Sequence, residues 1–214
     1  MISPLPYCGA PPLPTNLLGR FNLDPPLLGL LLGIGLLHVI WARARNCERY
    51  AFAAWLITAT AFISPLCALS VSLFSARIAQ HMILLLCAAP LMARALPIPT
   101  GREGAWPLWT SSGLFLIALW FWHMPAPSDA TFPSVPVYWL MHITLFGSGI
   151  ALWRELIHHR PERAGEALIS GGFTCIQMGF LGAVLTLAQH PMFAWHLTTT
   201  EAWSLTPLQD QQLG

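Results

Sequence analysis

Apolar residues in this chain run in long unbroken stretches, instead of alternating in twos or marking one face of a helix. Six stretches approach the roughly 20 apolar residues that a bilayer-crossing helix needs: 27–42, 50–72, 78–96, 106–123, 137–153 and 167–188. The first is short, although Asp24 followed by Pro25 offers an N-cap and a proline at the first helical position. Continuous apolarity excludes barrel strands, whose lipid-facing and lumen-facing residues alternate. Trp41, Trp106, Trp122, Trp153 and Trp195 fall near stretch ends, where interfacial indoles belong. No internal repeat or long linker divides the chain. The pattern predicts an all-α, polytopic transmembrane helical bundle of about six spans. It forms one domain over 1–214: a Pro-rich segment 1–25 that includes Pro4, the bundle 26–190, and a C-terminal segment 191–214.

Composition strengthens this reading. Of 214 residues, 55% are apolar and only 9% are charged, against about 25% charged in soluble domains. Mean hydropathy is +0.59. A net charge of +1 supplies no field for nucleic acid. The basic residues are all Arg, and their placement sets orientation. Arg43, Arg45, Arg49, Arg94, Arg102, Arg154, Arg160 and Arg163 share one side, against Arg20 and Arg77 on the other. The positive-inside rule then puts both termini outside, with a bacterial plasma (inner) membrane as the expected location. No secretory signal pattern precedes the first stretch. Five cysteines without CxxC spacing (Cys8, Cys47, Cys67, Cys87 and Cys175) read as buried small apolar residues, not as a disulfide framework.

Eight histidines in so apolar a chain demand an account. On this topology His81, His123, His142, His190 and His196 occupy one outer layer, contributed by separate segments. His158 and His159 fall in the inner Arg-rich loop as solvated surface, and His38 reads as interfacial or helix-packing. Neutral imidazole is the commonest protein metal ligand, and ionisable residues in a membrane are functional suspects. Met82, Met124, Met141 and Met192 share the outer layer, and imidazole with thioether favours copper over hard cations. Asp129, Glu201 and Asp210 could orient imidazoles as hydrogen-bond acceptors. The competing explanation is plain: an intramembrane His is often a polar residue satisfied by a neighbouring helix. Gly29/Gly33 and Gly179/Ala183 have the small-xxx-small spacing of helix contacts. Enzymatic readings lack their parts. No nucleophile elbow or phosphate loop occurs, and paired intramembrane carboxylates are missing.

Several segments together resemble a known family. Ser75 to Pro90 (SARIAQHMILLLCAAP), Trp122-His123-Met124-Pro125, His142 in YWLMHITLF, Gly179–His196 and Ser204–Leu213 (SLTPLQDQQL) are similar to the bacterial CtaG family of caa-type cytochrome c oxidase assembly factors. Asp24-Pro25-Pro26 and Ser64-Pro65 extend the likeness over nearly the whole chain. The chain departs from the family at two places. Arg77 stands where members usually carry another His, and Tyr138, Met141 and His142 replace a His-x-x-Glu-His pattern. The family pattern also continues into a seventh helix where this chain stops at Gly214. That is expected of a shortened member, an early-ended reading frame, or a variant relying on a partner helix.

The resemblance implies an inner-membrane factor, not an enzyme, that matures a haem–copper oxidase by handling copper, as Cu(I), at the periplasmic face. The implied ligands are His81, His123, His142 and His196, with Met124 and Met192 as transient sulfur donors and Gln80 and Asp210 in support. His190 is less clearly required. Expected partners are the lipid bilayer, cytochrome c oxidase subunits and a copper donor protein. Two alternatives follow from the same residues: a non-metal scaffold for oxidase subunits, and a haem b electron-transfer protein with paired His ligands.

Overall fold

The computed structural model describes residues 5–97 and 106–214, with no strand among the described residues. Expectations that rest on Pro4, on Arg102 or on the side chain of Trp106 lie outside this description. The helices are α1 (Pro25–Arg43), α2 (Glu48–Ile63), α3 (Pro65–Ser72), α4 (Phe74–Ala95), α5 (Trp106–Trp122), α6 (Pro125–Ala130), α7 (Val135–Ile157), α8 (Ala164–Thr186) and α9 (Pro207–Leu213). Four of them, α1, α4, α7 and α8 with its leading turn, are long and apolar enough to cross a membrane. Counting α2 and α3 as one bent span makes five. The remaining expected stretch is α5, which is apolar but only 17 residues long. These helices fit a multi-pass membrane protein. Helix α7 packs on α5 and on α4, and α2 packs on α1 and α4.

Two breaks shape the bundle. At Ser64-Pro65 the axis bends by 50°. Ser64 is extended, its hydroxyl accepts from the Leu66 N–H at 3.3 Å, and Pro65 starts α3 at N1. Proline has no N–H to give the Ala61 carbonyl four residues back. Gln80 supplies the missing donor, its amide reaching Ala61 O at 2.8 Å. The second break is a wide π turn at Ile83–Ala88 inside α4, directly before Pro90. There the Ala89 N–H bonds to Leu84 O, and the released Leu85 carbonyl accepts from Trp153 Nε1 at 2.7 Å. Such π turns recur at functional sites.

Helix α7 approaches this turn closely at Gly149. A Cβ there would sit 2.6 Å from a Leu85 methyl. Gly35 similarly admits the Trp55 ring at 3.3 Å. The contacts are not where small-xxx-small spacing put them: a Cβ on Gly29, Gly33 or Gly179 would meet nothing within 4 Å. The spacing marks close approach only if that face meets a helix, and these faces point away from the bundle.

The reading of the cysteines also needs correction. Cys8 and Cys67 form a disulfide, and Cys87 and Cys175 are exposed instead of buried. The pair was hidden because 59 positions separate it and no short spacing advertises it. The disulfide ties the N-terminal segment over the end of α3. Tyr7 then stacks on Tyr138 at 5.0 Å and donates to Asp24 at 2.6 Å.

Candidate functional site

Three of the expected imidazoles meet inside the bundle. His81 comes from α4, two residues before the π turn; His123 follows the last residue of α5; His142 lies two turns into α7. The His81 ring centre lies 5.6 Å from His123 and 5.4 Å from His142, both edge-on. All three are buried, at 3%, 7% and 3% exposure. Metal–imidazole bonds of about 2 Å place two rings on one ion with centres roughly 5–6 Å apart. The spacing is therefore compatible with a shared ion. Their nitrogens are not drawn together, however: among the described residues no three His, Cys, Asp or Glu side chains form a metal-holding group.

Hydrogen bonding fixes which nitrogens are free. His123 Nδ1 lies 2.6 Å from Leu119 O, and His142 Nδ1 lies 3.0 Å from Tyr138 O, each a carbonyl four residues back. A carbonyl can only accept, so both Nδ1 atoms carry the proton and both Nε2 atoms offer a lone pair. The His142 Nε2 and both ring nitrogens of His81 are buried without a hydrogen-bond partner. Buried polar atoms are ordinarily satisfied, so an unmet cluster in one place suggests a ligand. A narrow gap lined by His81, His142, Leu84, Leu85, Leu145 and Phe146 admits no water molecule. Beside His123 a second cavity of about 40 Å³ is lined by Met82, Met178 and Leu119 among others. Met178 is a soft donor that sequence reasoning missed. Its place on α8 carries no signal apart from packing.

The other expected ligands stand apart. His196 is buried, but its ring packs on Phe74 and Phe132. Its Nδ1 faces Ser72 O at 3.3 Å, and its Nε2 has no partner. Burial first, and then the Arg77 charge, push its pKa down to about 3. Met124 and Met192 are open at 50% and 36% exposure. Met141, by contrast, is fully buried in the core. His190 and His159 are exposed, while His158 is half-buried. His38 accepts from Trp55 Nε1 at 3.1 Å, a helix-packing role as expected.

The carboxylates do not orient imidazoles as the sequence suggested; they hold backbone. Asp210 on α9 accepts from the N–H groups of Phe74 and Ser75 at 2.6 and 3.1 Å and from the Ser75 hydroxyl at 2.6 Å. Leu73 offers α4 no side-chain cap of its own. Asp210 thus caps that helix from 136 positions away, where the positive end of the helix favours an anion. Its neighbour Gln211 donates to Leu185 O and accepts from the Met192 N–H. Asp129 accepts from the N–H groups of Ala194 and Trp195, fixing the loop that carries His196. Glu201 is exposed. Gln80 is committed to Ala61, as described above.

Arg77 completes the surroundings. It is buried one turn before His81, donates to Thr131 Oγ1 at 2.8 Å, and lies over the Phe132 ring at 4.1 Å. Its fixed charge opposes a cation bound nearby. Neutral imidazoles, thioether sulfur close by and a guanidinium at the edge thus lie together at this end of the bundle. Residues 36–214 match the family model described as cytochrome c oxidase caa3 assembly factor (Caa3_CtaG). No curated protein and no solved structure matches the chain.

Proposed function

This chain belongs to the cytochrome c oxidase caa3 assembly factor family, and from that premise we propose that it presents Cu(I) to an oxidase subunit from a bacterial inner membrane. On this reading the chain has six spans, with both termini and the histidine end facing the periplasm. The arginine bias supports that orientation, and so does the Cys8–Cys67 disulfide, since disulfides persist in oxidising compartments. Copper is cargo here, so the task is exchange and not turnover. A donor protein would deliver the ion at the histidine end, and an oxidase subunit would take it through shared ligands.

One observation carries the reading: imidazoles from three segments converge in the buried interior, those of His81 and His142 with unpartnered nitrogens. His81, His123 and His142 are the proposed ligands. Modest rotation of their rings would turn the free lone pairs onto one ion. His196, Met124 and Met192 would serve on the route in or out, with Met82 and Met178 beside His123. Gln80 and Asp210 support the site by tying α4 to the end of α2 and to α9. A site of two or three ligands suits release, because a closed four-ligand site does not.

The test is Cu(I) titration of the purified chain in detergent under reducing conditions. One ion per chain is expected in the wild type and none in a His81→Ala/His142→Ala double variant. Equal stoichiometry in the two would refute the ligand assignment. A second reading, a scaffold without metal, draws support from Arg77 beside the cluster and from the ungathered ring nitrogens. It predicts that oxidase assembly survives His81→Gln and His142→Asn. The haem b alternative fares worse, because the gap between His81 and His142 is too narrow even for water and leaves a porphyrin no room. A Soret band in the purified chain would reinstate it.

A further inference from the structure

At the opposite, arginine-rich end a pocket of about 390 Å³ opens among the ends of α1, α4 and α7. Among the described residues its lining is Arg45, Cys47, Arg94, Leu96, Pro97 and His158, which include no carboxylate. The volume falls within the roughly 300–1,000 Å³ typical of ligand sites. Neither guanidinium takes part in an ion pair among the described residues. Arg45 is preset: it lies over the Trp41 ring at 3.9 Å and donates through Nη2 to Ala95 O at 2.8 Å. Its Nε remains buried without a partner, as does the Nε2 of His158. Arg154 donates to Pro97 O at 3.0 Å and so steadies the rim.

The two unsatisfied buried nitrogens are costly when nothing meets them, and the exposed Arg94 adds a second positive charge at the mouth. An oxyanion with several acceptor oxygens would relieve both deficits, and the forked guanidinium matches phosphate geometry. Depth narrows the choice further. Trp41 is half open beside Arg45, the position of an indole at the headgroup level. Basic pockets between helices at that level suit lipid phosphates. We propose that this pocket binds a phosphate group through Arg45, Arg94 and His158, carried either by an anionic phospholipid or by free phosphate.

Cys47 lines the pocket and reports its occupancy. With Cys8 and Cys67 joined, a Cys87→Ser/Cys175→Ser chain keeps Cys47 as its sole free thiol. The delipidated full chain in detergent is treated with maleimide at constant ionic strength. Four conditions are compared: no addition, phosphatidylglycerol, phosphatidylcholine and inorganic phosphate. Slowing by phosphatidylglycerol beyond phosphatidylcholine assigns the site to an anionic lipid, and slowing by inorganic phosphate alone assigns it to the free anion. An Arg45→Gln/Arg94→Gln variant should need about thirtyfold more ligand for equal protection. Should that variant fail to fold, Arg94→Gln alone, at an exposed position, should need about fivefold more. Cys47 labelling that none of the additions slows overturns the proposal, and so does protection that both variants retain in full.

Discussion

The two ends of this bundle solve the problem of polar groups in opposite ways. At the histidine end buried and half-buried polar side chains are tied to backbone elsewhere in the chain. Asp210 caps α4, Asp129 holds the loop at Ala194 and Trp195, Gln80 serves Ala61, and Gln211 serves Leu185. At the arginine end the charged groups stay nearer the surface; each meets one distant carbonyl, Arg45 at Ala95 and Arg154 at Pro97, and leaves its buried Nε unmet. The difference teaches that the histidine end is over-determined. Its backbone ties are made by named side chains, so the ring nitrogens left unmet on His81, His142 and His196, along with the Trp203 indole N–H, stand out there. At the arginine end two of the unmet groups, on Arg45 and His158, line an open pocket instead.

The sharpest way to break this contrast is to remove a tie at the histidine end. Asp210→Ala leaves two N–H groups and a hydroxyl without their acceptor, so stability should fall by about 3 kcal/mol. Denaturant titration in detergent reads this directly. A loss below about 0.5 kcal/mol would show that the frame does not depend on its distant cap.

Acid should act through His196 in the same region. Its pKa is lowered from 6.5 to about 3 when folded, so below pH 6.5 the unfolded chain binds a proton that the folded one refuses. Stability from this group is therefore complete above pH 6.5 and is lost as pH falls toward 3, by up to about 1.4 kcal/mol per unit. Melting temperature against pH should show a shallower acid slope in His196→Gln than in the wild type. Identical slopes would mean that the buried ring takes up its proton without penalty.

The smallest effect belongs to the arginine end. Arg163 and Glu166 pair at 3.9 Å with both side chains about a third open. Arg163→Ala should change stability by about 0.5 kcal/mol or less, as exposed pairs do. A loss comparable to that of Asp210→Ala would erase the distinction between the two ends.

Much of the architecture was legible in the residues. Length and apolarity of the stretches marked the helices, but the stretch 50–72 read as one span and its 50° bend at Ser64-Pro65 came only with the structure. The gathering of His81, His123 and His142 followed from alternating span direction, because each falls at the same end of its stretch. His196 followed the same rule to the right end but not into the ring cluster. The loop carrying it is tied to Asp129 and packed on Phe74 and Phe132, and nothing in its spacing encodes that.

The sequence by itself determined which segments are helical and apolar, where charge concentrates, and which imidazoles share an end. Those properties are local: they depend on side-chain hydropathy, proline's missing N–H and the charge of each loop. Only the tertiary structure decided partners across the chain. It joined Cys8 to Cys67, set Asp210 at the start of α4, and placed close contacts at Gly35 and Gly149 instead of at the spaced pairs. It also left Met178 beside His123. Which donor meets which acceptor depends on the packing of whole helices, and that packing is not written in the neighbourhood of either residue.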